Sequence, residues 1–228
     1  MSASAIGETI LWWTPFVLQG FLLNVLMSAI AILLGTTLGV ALGAGQIARR
    51  GAARLPSRVV TQMFRNAPWL VLLFYCIFLL PYTVKLFGMT VTLPSWSRAT
   101  IGFTVPVAAN VSEIVRGAVG SVPSGQWEAA EALGYGRGAT LMRIILPQCV
   151  ARMLPPWMNL YALLITATPL ASIVGVEEAL SRTQAALQAE TRSELLMPMY
   201  GALLVLFFVY SYPISRLSRS AERRFTRS

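Results

Sequence analysis

Five long segments of the chain are almost free of charged side chains, and they restrict the folds that it can adopt. They lie near residues 14–44, 64–84, 99–119, 148–172 and 195–215. A helix needs about 20 apolar residues to cross the hydrocarbon core of a bilayer. Because backbone polar groups find no water in lipid, such segments are helical. The sequence therefore predicts an all-α integral membrane protein with five transmembrane helices, forming one domain over residues 1–228.

The composition excludes several other classes of protein. Hydrophobic residues make up 56% of the chain and charged residues 12%, whereas soluble domains carry about 25% charged residues. The absence of histidine and of a paired CxxC leaves little from which to build a metal site, so we expect no metal. The net charge of +9 could suggest nucleic acid, but the basic residues lie at the ends of apolar segments and do not alternate with aromatic residues. We therefore expect no nucleic-acid partner.

The basic residues predict the orientation in the membrane. Lys and Arg are enriched in cytoplasmic loops, and 14 of the 18 fall on one side of the five segments, among them Arg49, Arg50 and Arg227. The remaining four are Lys85, Arg98, Arg182 and Arg192. This distribution predicts an external amino terminus and a cytoplasmic carboxyl terminus. Four acidic residues then fall in the last external loop: Glu177, Glu178, Glu190 and Glu194.

Glycines recur every four residues in the first segment, at Gly35, Gly39 and Gly43. This spacing places three positions without side chains on one helix face, where another helix can approach closely. The pattern indicates a packing contact within the protein or with a second subunit. Membrane helices are also ordinarily rich in glycine, so the spacing alone leaves both interpretations open.

A charged, alanine-rich stretch interrupts the apolar segments in the loop 120–147, which the orientation places in the cytoplasm. Ala, Glu and Leu favour a short helix over 127–133, with Ser124 or Gly125 as its cap. Gly134 can end it in a left-handed conformation. Such a helix has too little apolar bulk to anchor itself in lipid, and it is suited to a groove on another protein.

This stretch resembles the cytoplasmic loop of the membrane subunits of binding-protein-dependent ABC importers. Their pattern is E-A-A, three residues, G, nine residues and I-x-L-P. The chain matches it without a change of spacing, at Glu128-Ala129-Ala130, Gly134 and Ile144-x-Leu146-Pro147. The similarity narrows to the polar amino acid branch through the stretches 121–134, 64–75 (FRNAPWLVLLFY), 112–119 (SEIVRGAV) and 172–180 (SIVGVEEAL).

The resemblance implies a type I ABC importer permease fold in the bacterial inner membrane, with five core helices. It also implies partners: two cytoplasmic ABC ATPase subunits, a second permease subunit that is identical or homologous, a periplasmic solute-binding protein, and membrane lipid. ATP and Mg²⁺ would be bound by the ATPase subunits, and we expect no cofactor in this chain. It has no G-x-x-x-x-G-K motif of its own.

In that family the EAA helix couples closure of the ATPases to movement of the membrane helices. The resemblance therefore assigns coupling to one set of residues, to which the neighbouring Trp127 and Gly136 are added. The set is Trp127, Glu128, Ala129, Ala130, Gly134, Gly136, Ile144, Leu146 and Pro147. Many members of the branch carry K-D-T-S-L at the end of the fourth span, where this chain reads TATPL at 166–170. The role of that Lys-Asp pair is therefore not carried over.

Ionisable residues within a span are costly and are usually paired or face a cavity. Glu113 and Arg116 lie three residues apart, on one helix face, and form either an inner gate or coupling contact or a local ion pair. Arg65 either takes part in the same gate or coupling contact or anchors its helix at the membrane interface. Polar side chains near mid-membrane are candidates for the substrate pathway, although each could simply bond across helices. They are Asn110, Asn159, Thr166 and Thr168.

The function predicted from the sequence is that of the permease subunit of an ATP-driven importer. Its cargo would be an amino acid or a related small polar solute, such as an opine. The alternatives are an ATP-independent channel or secondary carrier, a membrane scaffold that recruits a soluble partner, and a membrane-embedded enzyme. Glu113 is essentially the only carboxylate within a span, which makes proton coupling a weak alternative. An enzyme is disfavoured by the lack of histidine, aspartate and a clustered nucleophile.

Overall fold

The computed structural model of the chain describes residues 3–48, 51–86 and 89–225. Arg49, Arg50 and Arg227 of the predicted cytoplasmic group lie outside these ranges. The described residues are mostly helical, in the order α1 Ala3–Ile47, α2 Gly51–Asn66, α3 Trp69–Leu79, α4 Ser95–Gly120, α5 Ser124–Ala132, α6 Arg137–Thr140, α7 Leu146–Ala167, α8 Ala179–Glu190 and α9 Leu196–Phe225. Two strands, β1 Thr83–Leu86 and β2 Met89–Thr92, lie between α3 and α4.

Three helical stretches in the described part of the chain are long and apolar enough to cross a membrane. They are Ser4–Ile47, Arg137–Val174 and Ser193–Arg223, and they contain the segments predicted near 14–44, 148–172 and 195–215. The segment predicted near 99–119 lies in α4, whose 26 residues are long enough for a bilayer. However, α4 is not among the stretches that pass by length and composition together.

The segment predicted near 64–84 is broken. Helix α2 ends at Asn66 and α3 begins at Trp69, with a bend of 103°. Pro68 has no N–H to continue the helix and disfavours the helical conformation at Ala67, which accounts for the break. Helix α3 ends at Leu79, and β1 then pairs with β2 in an antiparallel hairpin that joins Thr83 to Thr92. Counted as one broken span, α2 and α3 raise the number of candidate spans to four.

The chain divides into two compact units. One consists of Met1–Ile32, Pro68–Thr104 and Ala162–Pro213. Its core joins α1, α7, α8 and α9 through the buried residues Phe21, Ile165, Ala179, Leu203 and Phe207. Gly20 lets α1 pass close to the start of α8, because a Cβ at Gly20 would lie 2.7 Å from the backbone nitrogen of Ala179.

The second unit consists of Leu33–Ala67, Val105–Tyr161 and Ile214–Ser228. Here the three regularly spaced glycines of α1 pack against α4. A Cβ at Gly39 would lie 2.5 Å from Cβ of Val111, and one at Gly43 would lie 2.7 Å from Cβ of Val115; Gly35 faces Val107 in the same way. The glycine pattern predicted from the sequence is therefore a packing contact within the chain.

This contact predicts opposite effects for two identical substitutions in α1. Gly39→Ala adds one methyl group where there is no room, so we expect the free energy of unfolding to fall by about 1–3 kcal/mol. Gly7→Ala adds the same methyl group where no atom lies within 4 Å, and alanine favours the helix by up to about 1 kcal/mol. Thermal unfolding of both variants in detergent measures the difference. Equal melting temperatures would contradict the close contact of α1 and α4.

Candidate functional site

The loop 120–147 contains the short helix predicted from its alanine and glutamate residues, and Gly134 ends it. Gly134 has φ of +81°, a conformation that L side chains rarely adopt. Its N–H donates to the carbonyl of Glu131 over 2.9 Å, and the N–H of Tyr135 donates to the carbonyl of Ala130 over 3.0 Å. These two bonds form a Schellman motif. The predicted left-handed turn at Gly134 is confirmed.

The start of α5 differs from the prediction. The helix begins at Ser124, and the residue before it, Pro123, is the N-cap; no side-chain cap hydrogen bond is present there. The expectation that Ser124 or Gly125 caps the helix is therefore wrong. Pro123 takes this position because its fixed φ, −55° here, suits the entry to a helix, and because it has no N–H that needs a partner.

Helix α5 is held on one side and exposed on the other. Ala130 is buried, and Trp127 packs on a cluster formed by Ala118, Val119, Val122, Ile145 and Cys149. The guanidinium of Arg137 lies 5.1 Å from the centroid of the Trp127 ring. Glu128, Ala129, Gly134 and Gly136 are exposed. The exposed surface of the helix therefore carries small residues and the carboxylate of Glu128.

The second half of the motif packs on the same cluster. Ile144 contacts it from a π-helical turn over Leu141–Ile145, where the N–H of Leu146 donates to the carbonyl of Leu141. Pro147 has no N–H to offer the carbonyl of Arg143, which favours this wider turn just before it. Leu146 is half-buried and Pro147 is exposed. The structure thus packs Trp127, directly before the first half of the motif, and Ile144, in the second half, on one apolar cluster.

The charged residues predicted as gate candidates also come together. Arg116 donates to Oε1 of Glu113 through Nε over 2.9 Å and through Nη2. Nη1 of Arg65, on α2, lies 3.8 Å from the same oxygen. Glu113 thus bridges two arginines from different helices. The sequence predicted the pair within α4 but not its link to Arg65.

A buried polar triad that the sequence did not indicate lies in the same unit. Nε2 of Gln46 donates to Oγ of Ser112 over 2.8 Å and to Oγ1 of Thr61 over 3.1 Å. The two hydroxyls lie 3.1 Å apart, and all three side chains are buried. The triad therefore ties the ends of α1 and α2 to α4 by polar bonds.

The four pathway candidates lie in different surroundings. Asn110 is half-buried and donates to the carbonyl of Pro106, one turn earlier in its own helix, over 2.8 Å. Asn159 is exposed. Thr166 is exposed and bonds to carbonyls of its own helix. Thr168 is fully buried. Asn159 and Thr166 are thus open to the surroundings of the chain, Asn110 is partly open, and Thr168 is enclosed.

Thr168 belongs to a buried cluster with two residues that were not among the pathway candidates. Nδ2 of Asn24 donates to Oγ1 of Thr168 over 2.9 Å and to Oε2 of Glu178 over 2.8 Å. Glu178 caps α8 by accepting from the N–H groups of Leu180 and Ser181, each over 3.0 Å. The expectation that Glu178 sits in an external loop missed its complete burial. Glutamate is not among the preferred N-cap residues, so the sequence carried no local signal of this role.

The environment of Glu178 acts on its pKa in two directions. Burial raises the pKa of this carboxyl above its ordinary value, while hydrogen bonds from Leu180, Asn24 and Ser181 lower it. Burial is the larger effect because it removes water from both oxygens. The three donors are therefore what makes a buried carboxylate tolerable here.

Removing one donor tests this cluster. Asn24→Ala leaves Glu178 and Thr168 without a shared partner, and an unsatisfied buried polar group costs about 1–3 kcal/mol. We expect a lower melting temperature in detergent, with a smaller loss at acidic pH, since a carboxyl with a raised pKa is then protonated. Thr37→Ala, at an exposed position of α1, is the matched control. A melting temperature for Asn24→Ala equal to that of the control would contradict the structural role of the cluster.

Comparison with known proteins supports one interpretation of these features. A family model described as a binding-protein-dependent transport system inner membrane component matches residues 31–227. The probable amino-acid ABC transporter permease protein YckA of Bacillus subtilis (strain 168) is 34% identical over 170 residues, which cover 75% of this chain and 73% of that protein. The L-cystine transport system permease protein TcyB of the same organism is 28% identical, covering 100% of this chain and 96% of its own length.

A third relative is the octopine transport system permease protein OccM of Rhizobium radiobacter, 29% identical over 90% of this chain and 84% of its own. Among solved structures, an amino acid ABC transporter crystallised with histidines has a chain with a TM-score of 0.83 and 22% identity, covering 95% of this chain and 97% of that one. A chain of the MetNI methionine ABC transporter has a TM-score of 0.62 and 18% identity, covering 97% and 99%. These structures share the fold.

The matched family is an inner membrane component, which agrees with the several apolar helices described above. In ABC importers of this family the ATPase site lies in a partner subunit, and the membrane subunit has none of its own. The chain therefore belongs to the family of binding-protein-dependent transport system inner membrane components, and it is a multi-pass permease subunit of an ABC importer.

Proposed function

We propose that this permease moves an amino acid, or a related small polar solute such as an opine, from a periplasmic binding protein into the cytoplasm. ATP and Mg²⁺ bind to two partner ATPase subunits, and the segment 124–140 transmits their closure to the membrane helices. A second permease subunit, identical or homologous, completes the pathway. The helices switch between inward-facing and outward-facing states as the ATPases close and open.

The observation that carries this proposal is the geometry of α5. The helix rests on an apolar cluster through Ala130 and Trp127, ends in a glycine turn at Gly134, and leaves Glu128 and Ala129 exposed. A helix that is packed firmly on one side and exposes small residues on the other suits a groove on a partner protein. The support matters because a force applied to a loosely held helix would not reach the spans.

The solute class rests on the names of the relatives. They are described as permeases for amino acids, L-cystine, glutamine and octopine. All of these solutes are small and polar, and octopine is an opine. The family match, together with the MetNI neighbour, supports ATPase and permease partners.

The topology that we propose has five spans, an external amino terminus and a cytoplasmic carboxyl terminus. Helix α4 is the span added to the three apolar stretches and the broken pair α2–α3. Its buried Ser112 bonds to Gln46 of α1, and its half-buried Glu113 lies beside Arg65 of α2; such pairing is how polar groups are tolerated at membrane depth. The distribution of the 18 basic residues supports the orientation.

Within this topology, we assign the gate to Arg65, Glu113 and Arg116, where one carboxylate holds two arginines from α2 and α4. A movement of α2 relative to α4 would lengthen the Arg65 contact, which at 3.8 Å is the weaker of the two. The pathway is assigned to Asn110, Asn159, Thr166 and Thr168. Of these, Thr168 acts through its buried bond with Asn24.

Substitution of Gly134 tests the coupling role. Gly134→Asp forces a side chain into a left-handed conformation, at a cost of about 1–3 kcal/mol, and adds a charge to the free surface of the loop. We expect the subunit to remain in the membrane while solute uptake and solute-stimulated ATP hydrolysis in proteoliposomes are abolished. Gly138→Asp is the matched control, because it adds the same charge at an exposed glycine of the same loop that lacks a positive φ. Wild-type uptake by Gly134→Asp would contradict the coupling role.

Substitution of Asn110 tests the pathway. If this amide contacts the solute, Asn110→Ala removes about 0.5–1.5 kcal/mol of binding, and we expect the KM for uptake to rise roughly 2- to 12-fold. Thr37→Ala, an exposed polar residue of α1 whose hydroxyl bonds only to its own helix, should leave the KM unchanged. An unchanged KM and solute preference in Asn110→Ala would remove Asn110 from the pathway.

A further inference from the structure

A cavity of about 470 Å³ in the second unit is lined by arginines from three separate parts of the chain. Arg54 and Arg58 come from α2, Arg116 from α4 and Arg137 from α6. Among the described residues that line it there is no carboxylate. The cavity falls within the volume range of small-ligand sites, about 300–1,000 Å³, and its lining favours an anion.

The arginines differ in how far their charge is already balanced. Arg116 is paired with Glu113. Arg137 lies over the ring of Trp127 and also borders a second cavity with Glu128 and Glu131. Within the described residues, no carboxylate forms an ion pair with Arg54 or Arg58, and both are exposed. The uncompensated charge of the cavity is therefore concentrated on one turn of α2.

Helix α2 itself has the pattern of a helix that lies at a membrane surface. Arg54, Arg58, Thr61 and Arg65 share one face by their spacing of four, three and four residues. Another face carries Leu55, Val59 and Met63, which are 67%, 57% and 61% exposed. A short helix with a basic face and an exposed apolar face lies in the interface, its apolar side in the acyl region. The bend of 103° after α2 means that α3, the other half of the broken span, is the part that enters the bilayer. Arg54 and Arg58 then stand at the level of the lipid phosphates.

The rest of the cavity wall suits an amphipathic ligand better than a dissolved anion. Ile47, Val119 and Leu141 line it together with the arginines. A free phosphate would leave this apolar wall in water, whereas the glycerol and upper acyl part of a lipid would cover it. Arginine also binds phosphate oxygens through two parallel hydrogen bonds, which a lipid phosphodiester can accept.

We infer that this cavity binds the phosphate of an anionic phospholipid of the surrounding membrane, with Arg54 and Arg58 as its principal ligands. The site goes beyond the transport function, and it does not depend on which solute is carried. Trp127 and Ser124 of α5 line the same cavity, so the bound headgroup lies against the segment 124–140.

Lipid retention by the purified complex tests this site. The complex with its ATPase subunits is placed in nanodiscs of phosphatidylcholine that contain a minor share of phosphatidylglycerol, and the lipids retained after extraction are counted by native mass spectrometry. We expect the wild type to retain phosphatidylglycerol in preference to phosphatidylcholine. The double variant Arg54→Gln/Arg58→Gln should bind phosphatidylglycerol about 30-fold more weakly, which corresponds to about 1 kcal/mol for each arginine near the surface.

The double variant Arg216→Gln/Arg219→Gln is the matched control, because it removes the same charge at exposed positions of α9 that do not line the cavity. It should retain phosphatidylglycerol like the wild type. Arg54→Lys/Arg58→Lys keeps both charges but loses the paired hydrogen bonds, so it should bind phosphatidylglycerol more weakly than the wild type and more tightly than the glutamine variant. If the α9 variant lost as much phosphatidylglycerol, general surface charge would explain the effect, and the site would be overturned.

The wild-type complex alone also decides between the two sources of phosphate. Inorganic phosphate at millimolar concentration should not displace phosphatidylglycerol, since it cannot cover the apolar wall. Displacement would mean that the cavity holds a dissolved anion, and it would overturn the lipid assignment. Equal retention of phosphatidylglycerol and phosphatidylcholine by the assembled wild type would overturn it as well, whether or not the glutamine variant assembles.

Discussion

The close contact of α1 with α4 is the constraint on which the candidate coupling site depends. Gly39 and Gly43 leave room for Val111 and Val115, so the two backbones approach more closely than any side chain would allow. In lipid, where apolar burial gives little driving force, such packing supplies much of the attraction between helices. The contact fixes the carboxyl-terminal half of α4, from which Ala118 and Val119 support α5.

Polar groups add specificity to this packing. The triad of Gln46, Thr61 and Ser112 joins three helices at one point, and the carboxylate of Glu113 draws in Arg65 nearby. In the other unit, a buried hydrogen bond from Asn24 to Glu178 joins α1 to the start of α8. An unsatisfied polar group is costly in a medium without water. Each cluster therefore favours one helix arrangement, and a transport cycle has to preserve or exchange these bonds.

Much of the fold and the turn of α5 could be predicted from the sequence, because they depend on local patterns. The apolar lengths predicted the long helices, and Gly134 predicted the end of α5. The glycine spacing gave a packing contact as one of two interpretations, and the structure decides for it. The break at Pro68 was obscured by the apolar run that follows it, and the hairpin 83–92 is too short to leave a pattern. The burial of Glu178 and the link from Arg65 to Glu113 depend on partners distant in sequence, which no local rule identifies.

The most direct test of ATP-driven import is solute uptake into proteoliposomes that contain this permease, its partner permease and its ATPase subunits. External binding protein loaded with a radiolabelled amino acid is supplied, with or without ATP inside. We expect accumulation against a gradient only when both ATP and binding protein are present. Uptake of the same solute without ATP, at a rate close to that with ATP, would contradict it and indicate a channel or secondary carrier.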